Sequence, residues 1–227
     1  MKSIGIIAAE DKELEAIKNI MSNIEEIHEY NLTIYKCNLN EKEYVLVKCG
    51  VGKVNAARVA QILSDTFDLE YIINLGSAGG LNDNLNIGDI VVGKSLIQHD
   101  FDITAMGREK GYIPDVGKVF ESDKNLLEKC INIKEDNIKI IEGTIVSGDI
   151  FCTDVKMKEK LKTKFNADCT EMEGAAIAQV CHLNKIPFLV IRSISDIPNG
   201  NNAVDFNEYL EFASKNCANF IDKLSKL

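Results

Sequence analysis

Apolar residues along this chain fall into short, unbroken runs rather than an alternating pattern. Ile4 to Ala9, Val45 to Cys49, Tyr71 to Leu75, Asp89 to Val92, Ile140 to Val146 and Phe188 to Ile194 are such runs. Near-continuous Val, Ile and Leu mark strands covered on both faces, as in a parallel or mixed sheet. Between them, Val54 to Phe67, Asp154 to Phe165 and Met172 to Leu183 carry helical spacing. Phe206, Leu210, Ala213, Cys217, Phe220 and Leu224 then recur every three or four positions, which predicts a C-terminal helix with one face laid on the sheet. Strand and helix in alternation predict an α/β fold with helices on both sides of the sheet. No repeat, low-complexity tract or Pro/Gly linker divides residues 1–227, so a single domain is expected. Asn82 to Leu85, Met106 to Lys118 and Pro198 to Ala203 read as loops, the elements that most often cover a ligand.

Composition narrows the partners. A formal net charge of -9 argues against nucleic acid, because phosphate backbones are met by clustered Lys and Arg. The seven cysteines are odd in number, form no CxxC and do not cluster with the three histidines, so neither a disulfide framework nor a zinc site is expected. No stretch has the length of a membrane span, and Ile4 to Ala9 runs straight into Glu10 and Asp11, unlike a signal peptide. A cytoplasmic protein with no metal and no cofactor is the expectation.

Candidate chemistry lies where the apolar runs end. Gly50-Val51-Gly52-Lys53 lacks the spacing of a phosphate-binding or dinucleotide loop, with Val47, Val54 and Asn55 at the diagnostic positions, and reads as a tight strand-to-helix turn. Gly76-Ser77-Ala78-Gly79-Gly80, directly after a strand and with more glycine than a turn needs, reads as a ligand-contacting loop that lets a ligand approach the backbone. Glu13 opens a helix beside Glu10 and Asp11, where on this segment alone an acidic residue is better explained by the helix dipole, and it gains weight only if it converges with the second half of the chain. Phe151, after Ser147-Gly148-Asp149, is either core or a platform for a planar base. Glu171 and Glu173 open a helix of small apolar residues and, if buried, require partners. Arg192, in the apolar run that ends in Ser195-Asp196, requires one too.

Taken in order, GIIAAEDKE, GVGKVNAA, NLGSAGGL, GDIVV, VSGDIF, TEMEGAAIAQVCH and RSISD span essentially the whole chain. In that order they resemble the purine nucleoside phosphorylase superfamily, specifically the 5'-methylthioadenosine/S-adenosylhomocysteine nucleosidases. The resemblance implies a three-layer α/β/α sandwich around a mixed central sheet, and a homodimer whose partner chain helps close the pocket for the 5' substituent. It implies hydrolysis of the N-glycosidic bond of adenine nucleosides, with water as co-substrate, in methionine salvage. By the same resemblance Asp196, positioned by Ser195, shares a proton with adenine N7. Phe151 stacks on the base and the backbone of Cys152 reads its edge. Glu173 binds the ribose hydroxyls with Met172 and Arg192, while Glu13 activates water beside Arg192 and Ser77. Ala78 and Gly79 contact the substrate, and Val51, Met106 and Phe206 surround its 5' group. Two positions depart from the family pattern: Glu10 replaces a common Met by the ribose, and Met106 a common Phe by the 5' substituent.

The chemistry of the residues agrees with these roles. Glycosidic cleavage builds positive charge on the sugar, which carboxylates stabilise, and a separate acid and base act at the leaving group and the water. Phosphorolysis would need arginines for phosphate, and only Arg58, Arg108 and Arg192 occur. A futalosine-type nucleosidase is the nearest rival. A phosphate-dependent phosphorylase and a non-catalytic nucleoside-binding protein are the others.

Overall fold

All six apolar runs are strands of a single ten-stranded sheet in the computed structural model, which describes residues 2–199 and 202–227. The chain begins with β1 (Ser3–Ala8), α1 (Asp11–Lys18), β2 (Ser22–Glu29), β3 (Leu32–Leu39), β4 (Lys42–Lys48) and α2 (Lys53–Thr66). Then come β5 (Leu69–Gly80), β6 (Ile90–Gln98), β7 (Phe120–Glu121), α3 (Lys124–Ile131) and β8 (Ile140–Ser147). The chain closes with α4 (Val155–Phe165), β9 (Cys169–Glu171), α5 (Gly174–Asn184), β10 (Phe188–Asp196) and α6 (Asn202–Ser225).

The sheet is mixed, in the order β10-β6-β8-β9-β5-β1-β4-β3-β2. β10 also pairs with β5, so five of these strands close into a ring; β1, β4, β3 and β2 extend from β5 as an open sheet, and β7 pairs with β6. Side chains alternate between two helical layers. Ile4 and Ile6 of β1 join one core with Leu14, Ile17, Leu126, Leu127 and Phe220 from α1, α3 and α6. Ile7, Val45, Val47 and Ile72 join the other with Ala56, Val59, Leu63, Ile177 and Cys181 from α2 and α5. The arrangement is the α/β/α sandwich around a mixed sheet that the sequence implied. The seven cysteines are free, and all but Cys49 are buried. No helix among the described residues is long and apolar enough to cross a membrane.

Several elements differ from the sequence reading. β2 and β3 went unread because β2 is an almost wholly exposed edge strand, with no buried face to impose a pattern. The hairpin is made by Tyr30 and Asn31, both at φ 56°, which match the twist of a two-residue turn. The glycine-rich segment after Leu75 is no loop: β5 runs on to Gly80, laddered to β10 and β9. α5 starts at Gly174 rather than Met172, because Cys169–Glu171 is a short strand. α3 was also unread. Of the loop expected over 198–203, Asn202 and Ala203 belong to α6, and Gly200 and Asn201 lie outside the described residues.

Candidate active site

Strands β1, β5 and β10 run parallel to one edge of the sheet, where ligands of open α/β sheets bind, and the antiparallel β9 pairs with the end of β5 there. A cavity of about 370 Å³ opens there. Glu10 and Glu13 follow β1, Ser77 to Gly79 come from β5, Thr170 to Glu173 from the β9–α5 junction, and Ser195 and Asp196 from the end of β10. Val51, Phe151 and Phe206 complete the walls. The Phe151 and Phe206 rings meet edge-on, with centroids 5.6 Å apart.

Beneath the cavity lies a buried polar cluster built around Arg192. Its Nη2 donates to Glu171 Oε2, and to Asn74 Oδ1 at 2.6 Å, and lies 3.6 Å from Glu173 Oε2. Burial opposes the charge on Arg192, but Glu171, Glu173 and Glu13 more than offset this and raise its pKa, so the guanidinium stays charged. Glu171 is the anchor. Ser147 Oγ donates to its Oε1, and its Oε2 accepts from the amides of Glu173 at 3.0 Å and Gly174 at 2.7 Å. It thereby answers the orphan amides and dipole of the α5 N-terminus.

Glu13 is 2% exposed and holds four donors. Ser77 N (3.0 Å) and Ser77 Oγ (3.2 Å) donate to Oε1, and the amides of Ala9 and Glu10 (both 3.0 Å) donate to Oε2. A carboxylate has about four acceptor sites, so all are filled. Gly76 explains how Glu13 and Arg192 approach each other. A Cβ there would lie 2.3 Å from Arg192 Nη1 and 2.6 Å from Glu13 Oε1, so only glycine leaves room.

Glu173 projects from the start of α5 and accepts the Gly52 amide at 2.8 Å. Gly52 sits at φ 100°, a conformation suited to glycine, and so the turn after β4 is fitted to this carboxylate. Burial first, and then the neighbouring charge of Glu171, push the Glu173 pKa well above the usual carboxylate range.

Asp196 ends β10, 1% exposed. Ser195 Oγ donates to its Oδ1 at 2.8 Å, and Asn202 Nδ2 donates to its Oδ2 at 2.7 Å. Burial raises its pKa, and the two hydrogen bonds only partly oppose that. Asn202 also donates to the Cys152 carbonyl, at 2.8 Å.

Most residues singled out in the sequence thus line one cavity. Cys152 does not face it directly but lines a small recess beside it, along with Phe151, Gly79 and Asp196. Arg192 lies below, reaching the cavity through the carboxylates it pairs. Met106 is absent from the cavity walls: it lies on a short 3₁₀ turn, Thr104–Met106, and is 77% exposed. Sequence reading missed Asn74, Ser147 and Asn202. A polar Asn74 inside the apolar β5 run was a usable signal; for Asn202, in an expected loop, there was none.

A parallel-and-antiparallel sheet between two helical layers, with acids gathered at the strand ends, is the architecture of nucleoside phosphorylase-like enzymes. The family model described as the Phosphorylase superfamily matches residues 3–227, and the chain belongs to that family. It is 40% identical, over 99% of both chains, to the 5'-methylthioadenosine/S-adenosylhomocysteine nucleosidase of Staphylococcus haemolyticus. Among solved structures, the corresponding nucleosidase of Colwellia psychrerythraea, in complex with adenine, is similar at a TM-score of 0.94 and 36% identity, covering 99% of this chain and 95% of that one. A futalosine hydrolase mutant of Helicobacter pylori matches at a TM-score of 0.94 and 30% identity, covering 100% and 99%.

Proposed function

We propose that this chain hydrolyses the N-glycosidic bond of 5'-methylthioadenosine and S-adenosylhomocysteine, and also of 5'-deoxyadenosine, releasing adenine and the 5-substituted ribose. One observation carries the reading: a buried aspartic acid whose pKa burial raises and a carboxylate held by four donors line one cavity. Asp196 faces Gly79 and Glu13 is bonded to Ser77. Those two β5 positions are a strand rise of roughly 6–7 Å apart, a separation that lets an acid serve the base while a carboxylate serves the far side of the sugar.

In this reading Asp196 gives its proton to N7 and makes the base a better leaving group. Phe151 stacks on the base, and the Cys152 backbone reads its edge. Glu173 takes the ribose hydroxyls over Met172. Glu13 takes the proton of the attacking water, and Ser77 Oγ, its longest contact at 3.2 Å, is the donor that yields to water. Ala78 and Gly79 form the floor, while Val51 and Phe206 flank the 5' group. The chain works as a homodimer of single-domain subunits in the cytoplasm, in methionine salvage, and the exposed Met106 reaches a 5' substituent bound by the neighbouring copy.

Hydrolysis rather than phosphorolysis is supported by the arginines. Arg192 is committed to Glu171, Glu173 and Asn74, whereas Arg58 bonds the Tyr30 carbonyl and Arg108 lies over Tyr112. Glu10, Glu13, Glu171 and Glu173 on the cavity wall would repel a phosphate ion. The test is adenine release from methylthioadenosine, S-adenosylhomocysteine and aminodeoxyfutalosine, with and without phosphate. Release of adenine from the first two without phosphate is expected. A strict phosphate requirement would make the chain a phosphorylase, and a preference for aminodeoxyfutalosine would favour the futalosine-type reading. Binding with no release under either condition would leave a nucleoside-binding protein.

A further inference from the structure

Asn202 is the first residue of α6 and is completely buried against the base end of the cavity. Its side-chain amide donates to two acceptors at once, Asp196 Oδ2 at 2.7 Å and the Cys152 carbonyl at 2.8 Å. The Cys152 carbonyl can only accept, which fixes the amide with its nitrogen toward the two oxygens. Its own oxygen, Oδ1, is buried and finds no hydrogen-bond partner among the described residues.

An adenine base seated with N7 on Asp196 presents its 6-amino group next to N7. That amine is a planar NH₂ with two hydrogens, as in a carboxamide. It would reach the same carboxylate with one hydrogen and the Cys152 carbonyl with the other. Asn202 and a 6-aminopurine therefore compete for one pair of acceptors. We propose that Asn202 is a built-in stand-in for the exocyclic amine: it occupies the base subsite in the free protein and is displaced, together with the first turn of α6, when a 6-aminopurine binds. The inference rests on the functional reading above and adds to it a residue that sets the affinity for the base.

Two consequences follow from the chemistry. While Asn202 is in place, Asp196 and the Cys152 carbonyl stay paired in the absence of ligand, so the acceptors that recognise the base are never left bare in a dry site. When adenine is the product, Asn202 reclaims its bonds and speeds release.

Calorimetric titration of adenine into the full chain and its Asn202→Ala variant tests this. The variant no longer has to give up the Asn202 hydrogen bonds, and its adenine Kd is expected to fall about fivefold, the worth of roughly one net hydrogen bond. Asn202→Ser, whose short hydroxyl cannot span both acceptors, is expected to tighten binding in the same direction and serves if the alanine variant does not fold. Unchanged or weaker adenine binding in a folded variant overturns the stand-in and leaves Asn202 as a support that holds Asp196 in position. Failure of the wild-type chain either to bind adenine or to release it from methylthioadenosine would instead overturn the functional reading itself.

Discussion

At the residue scale, Asp196 and Glu13 are both acids at strand or helix ends, yet their surroundings prepare them for opposite tasks. Asp196 is buried with only Ser195 and Asn202 as donors, which raises its pKa and favours the protonated form. Asp196→Asn keeps the shape and removes the proton, and kcat is expected to fall by about 10²–10⁴-fold; steady-state adenine release reads this directly. The sign of the pH dependence follows from the raised pKa. The acid form is fully present below that pKa, so turnover should hold at lower pH and fall as pH climbs through it. A rate that instead rose over that range would remove Asp196 as the acid. Glu13 is set by its four donors. In Glu13→Gln, an NH₂ must face amides or a hydroxyl that themselves donate. Turnover should be lost by a comparable factor. Leaving a buried donor unmatched costs about 2 kcal/mol, which for a chain of this size lowers Tm by roughly 4–8 °C. Calorimetry of the variant checks the second half of that expectation.

At the scale of elements, the site is made where strands carry polar residues past the core. β5 and β10 are paired from Ile72–Phe188 to Gly79–Asp196, so the same ladder that builds the core fixes Ser77 and Asp196 relative to one another. Gly76 sits opposite Arg192 in that ladder, and its missing side chain leaves the space that Arg192 and Glu13 both occupy. Gly76→Ala should therefore act on function before fold. The added carbon displaces Arg192 and Glu13, and kcat/KM is expected to drop about 100-fold. A destabilisation of about 1–3 kcal/mol is typical of overpacking. Activity close to wild type would show that the close approach of the two charges is dispensable. α5 contributes differently: Glu171 caps its first turn and holds Arg192, which frees Glu173, two residues on, to face the cavity.

For the molecule as a whole, exposed apolar side chains gather around the cavity. Val51 and Phe151 line it while 44% and 40% exposed, and Val54, just beyond Val51, is 79% exposed. An apolar rim of this kind around a site is better explained by a covering partner than by open solvent. The proposed homodimer predicts a solution mass of twice 25.2 kDa. Val54→Glu puts a charge into that contact. It is expected to shift the protein to monomer in sedimentation experiments and to raise KM for methylthioadenosine without altering the chemistry at Asp196. A wild-type chain that sediments as a monomer would remove the partner from the account.

By itself the sequence determined the six buried strands, the helices α2, α4 and α5 and the long α6, because each buries apolar surface with a period that is written locally. It also marked Glu173 and Arg192, since charged residues beside core segments require partners wherever they end up, and through the order of its motifs Glu13 and Asp196. Only the tertiary structure decided the rest. β2 is an exposed edge strand held by its pairing with β3, and pairing is not written in one strand. The glycine-rich segment is strand rather than loop because β10 and β9 lie alongside it. The choice between capping a helix and holding a ligand was likewise settled in space. Glu171 caps α5 and grips Arg192, while Glu173 and Glu13 face the cavity, and Asn202 reaches Asp196 and Cys152 from the start of another helix. Hydrophobic period is a property of neighbours along the chain, whereas the partner of a buried polar group is a property of neighbours across it.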